Sequence, residues 1–226
     1  HQGPRHQMAT KTTKIQVDGY DMPVTVHVHQ GDLPETVSFK GAIAVDTETM
    51  GLLHTRDRLC VVQLSDGQGE GHLVQIPRDD GGAPRLVSLL SDPETVKLYH
   101  FARFDLAALQ RHLGIVAGPV YCTRTASKLV RTFTDKHGLK DLCRDLIGVE
   151  ISKQQQTSDW GAPELKPEQI QYAVSDVLYL HRLKERLDIM LEREGRTELA
   201  QACFDFLPTR AALDLAGWPE VDIFAH

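Results

Sequence analysis

Apolar and polar residues alternate from Lys14 to Gln30 (Ile15 and Val17, then Val24, Val26 and Val28) around Asp18-Gly19. A period of two marks strands with one covered face, so this region is predicted to form a hairpin or a pair of edge strands. After the turn Gly31-Asp32-Leu33-Pro34 the pattern changes. Ala42 to Glu48, Leu59 to Leu64 and Gly71 to Ile76 are short runs, apolar almost throughout, as buried strands are; the Gly-rich link Asp66 to Gly71 predicts a hairpin-like connection between the last two. Beyond the loop Asp79-Asp80-Gly81-Gly82, a short helix is predicted over Arg85 to Leu90 and a strand over Val96 to His100. Leu106, Leu109 and Leu113, stopped by Gly114, predict a helix from Arg103 to Leu113. Helices follow over Thr123 to Thr132, over Leu139 to Ile147 (closed by Gly148), and from Pro167 to Arg193, the last opening on a proline whose missing N–H costs nothing there. Glu198 to Phe206 is predicted as one more helix.

Strands first, then alternating strand and helix, then helices, predict an α/β fold with a mixed central sheet flanked by helices in a single domain, residues 9–206. Residues 1–8, with Gln2-Gly3-Pro4 ahead of Met8, are expected to be a tag or a disordered segment. Residues 207–226 are expected to be an apolar, aromatic tail (Leu207-Pro208, Trp218-Pro219, Ile223-Phe224), non-helical after Gly217, that packs on its own domain or on a neighbouring subunit.

Composition narrows the partners. Hydrophobic content of 41% and charged content of 25% are those of a globular protein, and no apolar run suits a membrane span or a signal peptide. Cys60, Cys122, Cys143 and Cys203 are scattered, which reads as reduced cysteine in a cytoplasmic protein. His27 and His29 share a strand face, but no third ligand for zinc stands nearby in sequence. A net charge of −6 argues against coating long nucleic acid. Arg124, Lys128, Arg131, Lys136, Lys140 and Arg144 nevertheless concentrate positive charge in one segment, fit either for a local phosphate site or for a solvated helical face.

The candidate chemistry lies in carboxylates. Asp46 and Glu48 end the first buried strand and project from one face of it. Two such charges repel unless a cation sits between them; alone, the pair equally suits a solvated strand exit. Asp105 falls near a strand end and a helix start, where a helix N-terminal charge is the plain alternative. Tyr172 and Asp176, four residues apart, share a helix face among Ile170, Ala173, Val174, Val177, Leu178 and Leu180, and an acid among apolar neighbours needs a cation or a donor. Together these residues can hold two divalent metals for in-line attack on a phosphodiester, and oxygen-only ligands select Mg²⁺ or Mn²⁺.

This set, Asp46, Glu48, Asp105 and Asp176 with Tyr172 four before the last, resembles the DEDDy branch of 3′–5′ exonucleases, which share a ribonuclease H-like fold. Leu139-Lys140-Asp141-Leu142, Ser158-Asp159-Trp160 and Tyr172 to Leu180 resemble ribonuclease D. Arg56 to Leu64, Phe206-Leu207-Pro208-Thr209-Arg210 and the ending Asp222 to His226 are similar to the nano-RNase C family of small bacterial oligoribonucleases, which lack the C-terminal helical domains of ribonuclease D. The resemblance implies that Asp46, Glu48, Asp105 and Asp176 ligate two Mg²⁺ ions, with Mn²⁺ able to substitute. It implies that Tyr172 positions or helps deprotonate the attacking water, that very short RNA, down to dinucleotides, is cut to nucleoside 5′-monophosphates, and that the enzyme forms a ring-shaped homo-octamer. Longer RNA such as tRNA 3′ ends, or DNA, is the alternative substrate.

Substrate contacts are expected from Thr47 and from Met50, Leu52 and Leu53, which could wedge a terminal base or pack in the core. His100 and Phe104 bracket Asp105, while Lys153, Gln155, Ser158 and the basic run up to Arg144 are candidates for phosphate. A haloacid-dehalogenase-type phosphatase would need an Asp where Glu48 stands and leaves Tyr172 and Asp176 unexplained. A non-catalytic RNA-binding module would carry the acids at a cost in stability.

Overall fold

The computed structural model describes residues 10–78, 82–152 and 154–226. Its strands are β1 (Thr10–Ile15), β2 (Val24–Gln30), β3 (Ile43–Thr49), β4 (Leu59–Ser65), β5 (Glu70–Gln75), β6 (Lys97–Tyr99) and β7 (Val120–Cys122). Its helices are α1 (Pro84–Ser91), α2 (Ala102–Leu113), α3 (Thr123–Val130), α4 (Leu139–Leu142), α5 (Pro167–Ser175), α6 (Leu180–Arg193) and α7 (Thr197–Ala216), and α4 runs directly into a π-turn, Cys143–Ile147. The strands form one seven-stranded sheet in the order β1-β2-β5-β4-β3-β6-β7. Neighbours β1/β2, β3/β4 and β4/β5 are antiparallel, whereas β2/β5, β3/β6 and β6/β7 are parallel, so the sheet is mixed, as predicted. Helices cover both faces of its centre, which is why every residue of β4 is buried and its sequence is apolar almost without a break.

The clearest departures from the predicted elements are in two helices and in one strand with no predicted counterpart. The alternating segment makes the hairpin and not two edge strands: β1, which begins at Thr10, pairs antiparallel with β2 around Asp18-Gly19 and is the outer strand, while β2 is also paired on its other side, parallel to β5. Val24, Val26 and Val28 are consequently buried. The strand β7 has only three residues and was too short to predict. The helix expected from Pro167 to Arg193 breaks between Ser175 and Leu180. Val177, Leu178 and Tyr179 are all buried there, which one continuous helical face could not achieve; the Tyr20 hydroxyl donates to the Leu178 carbonyl (2.5 Å) and the Tyr179 hydroxyl to the Asp18 carbonyl (2.5 Å), holding the turn. The last helix does not stop at Phe206 but runs through Pro208 to Ala216. Packing outweighs the proline, because Phe204 and Ala211 are buried and Asp214 receives two hydrogen bonds of 2.7 Å from Arg103 on α2. After Gly217 the tail is non-helical and folds back, with Arg103 bonded to the Pro219 carbonyl (2.7 Å) and Arg210 to the Val221 carbonyl (3.0 Å). Residues 1–8 lie outside the described residues.

α5 lies close against the sheet because β5 offers no side chain beneath it: a Cβ at Gly71 would fall 2.2 Å from Val174 Cγ2. Valine is stiff at χ1 and cannot swing aside. Gly71→Ala is therefore expected to lower stability by roughly 1–3 kcal/mol, read as a shift of the urea unfolding midpoint, and an unchanged midpoint would contradict this packing.

Candidate active site

Strand β3 sits near the middle of the sheet, and its alternation sends Asp46 and Glu48 out from one face at its end. Asp46 lies opposite Gln63 on β4, and the register shifts between Glu48 and Thr49, ending regular pairing there. The Gln63 amide donates to Asp46 Oδ2 (3.2 Å) and to Glu48 Oε2 (2.9 Å), tying the two carboxylates together. Asp105 is in the first turn of α2 rather than at the end of a strand, and it accepts a hydrogen bond from Thr47 Oγ1 (2.5 Å). The helix N-terminus favours a carboxylate at that position. The break after α5 sets Asp176 on the residue that ends the helix, with Tyr172 one turn behind it.

Carboxylate oxygens of Asp46, Glu48 and Asp176 lie within 4.8 Å of one another. Asp46 is in hydrogen-bonding contact with Asp105 as well as with Asp176. Asp105 (2% exposed) and Glu48 (9%) are buried, whereas Asp46 and Asp176 are half-buried on the cleft floor. Burial pushes the Asp46 carboxyl up to about 6, against the lowering effect of its hydrogen bonds. Burial, and then the negative field of Asp46, raises Asp105 and Asp176 well above the usual carboxylate range, and Glu48 follows for the same reasons. Four such acids ionise together only around positive charge, and an all-oxygen donor set suits a hard divalent cation. The residues present therefore fit Mg²⁺ or Mn²⁺. Burial, and then the carboxylates of Asp176, Glu48 and Asp46, raise the Tyr172 phenol above its ordinary value.

These side chains line a cleft of about 490 Å³, and of the predicted contacts Thr47, Met50, Leu52, His100, Phe104 and Ser158 line it too. The others fall elsewhere. Leu53 is 53% exposed and is not part of the cleft lining, its N–H bonded to Asp57. Arg144 is committed to ion pairs with Asp141 and Asp145, both at 3.1 Å, because those acids flank it on the same turn. Gln155 accepts from Ser158 (3.1 Å) and faces a neighbouring hollow beside Asp18. Lys153 lies outside the described residues. Arg131 of the basic run is buried against Asp145 (2.6 Å), and Arg124 and Lys140 are the members that reach a smaller cleft of about 240 Å³ adjoining the carboxylates.

Sequence reasoning missed Gln63, Phe101, Gln156, Thr157 and Trp160. Gln63 left a usable signal, a lone amide inside an otherwise apolar strand. Phe101 left none: its backbone takes φ 71°, a left-handed conformation costly for an aromatic residue, with Arg124 5.5 Å above its ring.

The raised carboxyls set a pH dependence. Their folded-state values exceed their ordinary ones, so their contribution to stability is complete below about pH 4; for Asp46 it is lost as pH rises through about 6, and for Glu48, Asp105 and Asp176 as pH rises well above the usual carboxylate range. A cation among them removes that loss. Mn²⁺ is thus expected to raise the melting temperature more at pH 8 than at pH 5, and equal shifts at both would contradict this electrostatic reading.

Comparison with known proteins agrees with this geometry. The model of the 3′–5′ exonuclease family matches residues 29–192. Ribonuclease D of Gluconacetobacter diazotrophicus is 36% identical over 156 residues, covering 69% of this chain and 39% of that protein, so the chain spans about two-fifths of the length of this curated relative. The structure of Brucella melitensis NrnC with bound Mg²⁺ is 53% identical with a TM-score of 0.85, covering 89% of this chain and 98% of that one. Brucella melitensis NrnC bound to pGG is 54% identical with a TM-score of 0.87, over 90% and 99% of the two chains. The chain belongs to the 3′–5′ exonuclease family, as a ribonuclease D-like protein of the NrnC type.

Proposed function

We propose that this chain is a two-metal-ion 3′–5′ exoribonuclease that hydrolyses very short RNA, down to dinucleotides, to nucleoside 5′-monophosphates in the cytoplasm. The observation that carries the proposal is the convergence of Asp46, Glu48, Asp105 and Asp176 on the floor of one cleft that Tyr172 also lines. The Mg²⁺ and pGG bound to the Brucella relative support the cofactor and the substrate length.

The four carboxylates would hold two Mg²⁺ ions, or Mn²⁺ in their place. When bound, such a pair activates water and neutralises the charge that builds on the leaving oxygen. Gln63 fixes the orientation of Asp46 and Glu48, and Thr47 does the same for Asp105. Tyr172, on the cleft wall one turn before Asp176, would orient the attacking water by a hydrogen bond in preference to removing its proton. Met50, Leu52 and Phe104 give the terminal base an apolar surface, and His100 faces the same cleft. Arg124 and Lys140 supply positive charge in the adjoining cleft, the part given to Arg144 on sequence grounds.

A homo-oligomer, an octameric ring on the family resemblance, accords with the apolar exposure of Phe206, Trp218, Val221, Ile223 and Phe224 (75% exposed) along α7 and the tail. Among the described residues no helix is long and apolar enough to cross a membrane. Trimming of longer RNA draws its support from the ribonuclease D relatives.

Digestion of 5′-labelled RNAs from two to about ten nucleotides with Mg²⁺, alongside duplex DNA, tests the proposal. Asp46→Ala is expected to abolish mononucleotide release and Tyr172→Phe to lower it roughly 10²-fold, both with unchanged circular dichroism. Release by Asp46→Ala at the parent rate would overturn the catalytic assignment, and equal rates at all RNA lengths would overturn the preference for dinucleotides. Light scattering is expected to show the oligomer, and its loss on truncation after Gly217.

A further inference from the structure

A second cluster of ligating side chains lies on the opposite face of the sheet. His27 on β2 pairs directly with His72 on β5. The next residue along β5, Leu73, pairs with Gln63, which in turn pairs with Asp46. Strand alternation therefore puts His27, His29 and His72 on the face away from the carboxylates. The sequence placed His27 and His29 together but gave no hint of a third ligand, because β5 joins β2 only through the parallel pairing across the sheet.

We propose that His27, Glu70 and His72 form a second metal site, for Zn²⁺ or a similar borderline divalent ion, that clips β2 to β5. One ligating atom from each of the three lies within 4.8 Å of the others, and His27 Nε2 is 2.6 Å from Glu70 Oε2. Two imidazoles and a carboxylate make a softer donor set than the oxygen-only cluster and suit zinc, nickel or copper better than magnesium. Both rings are also braced from behind, as metal-bound histidines are. Thr12 Oγ1 lies 2.9 Å from His27 Nδ1, and His29 Nε2 lies 2.9 Å from His72 Nδ1. His29 is itself held by Thr10 Oγ1 at 2.9 Å. Burial first, then its histidine neighbours, lowers His72 to about 3, so the ring is neutral and keeps its lone pair at neutral pH, the form a metal needs. His27 and Glu70 stand at the rim, their side chains 22% and 54% exposed, beside a cleft of about 530 Å³ through which an ion and a completing water can enter. The competing arrangement is a ring stack, with His27 and His72 centroids 4.8 Å apart, that binds no metal.

The test uses the full chain, stripped with chelator and kept in saturating Mg²⁺ so that the carboxylate cluster is occupied. Titration with Co²⁺ is expected to give the intense visible absorption of a four-coordinate site. Titration with Zn²⁺ is expected to show one equivalent bound and a melting temperature raised by about 5–10 °C when Zn²⁺ is roughly 100 times its Kd. The double variant His27→Gln/His72→Gln is expected to lose the absorption, the equivalent and the thermal shift, while keeping nuclease activity. Glu70→Gln, which leaves the ring stack intact, is expected to weaken Zn²⁺ binding by about tenfold or more and covers the case in which the double variant fails to fold. Identical Co²⁺ spectra and Zn²⁺ stoichiometry in the parent and the variants would overturn the proposal, as would no bound Zn²⁺ in the parent.

Discussion

Asp46 stands among three other carboxylates, Glu48 and Asp105 buried and Asp176 half-buried like itself, and that crowding governs the rest of the molecule. Burial and mutual repulsion both disfavour charge on these acids, so without a cation the cluster holds protons that it would release in water. The fold tolerates this because the surrounding structure over-determines the positions. Gln63 bonds two of the acids, Thr47 bonds a third, and the helix start at α2 favours Asp105 in its charged form. Such an arrangement weakens the empty protein and prepares it for divalent ions, which trades some stability for a site that needs little rearrangement.

The scaffold serves that floor. β3 lies inside a mixed sheet, paired with β6 at Ile43 and Ala44 and with β4 from Ala44 to Thr49, so it cannot slip in register without moving Asp46 and Glu48. α5 can approach closely enough to bring Tyr172 and Asp176 over β3 only because Gly71 leaves room for Val174. The break after Ser175 then turns α6 away, its geometry held by two tyrosine hydroxyls reaching backbone carbonyls. On the far face the same parallel pairing of β2 with β5 that extends the sheet also brings histidines together across a long stretch of chain.

What could be read from the sequence follows the range of the interactions. Asp46 and Glu48 were legible because alternation along one strand puts them on one face, and Tyr172 and Asp176 because four residues make about one helical turn. The buried strands β3, β4 and β5 were legible as apolar runs. The split of the long helix was not, since the apolar pattern continues through Val177, Leu178 and Tyr179 and only the distant Tyr20 and Asp18 mark the break. Arg144 looked like a phosphate ligand from its place in a basic run, yet its neighbours Asp141 and Asp145 neutralise it locally, while Arg124 and Lys140 face the cleft. Glu70 and His72 escaped attention as partners of His27 because parallel pairing between strands that are not consecutive leaves no local signature.

The central claim is that the four carboxylates are a binding site for two divalent cations. Anomalous diffraction from crystals grown with Mn²⁺ addresses it most directly. Two peaks about 4 Å apart, ligated by Asp46, Glu48, Asp105 and Asp176, are the predicted result. Full Mn²⁺ occupancy elsewhere on the protein with no peak among these four residues would contradict the account.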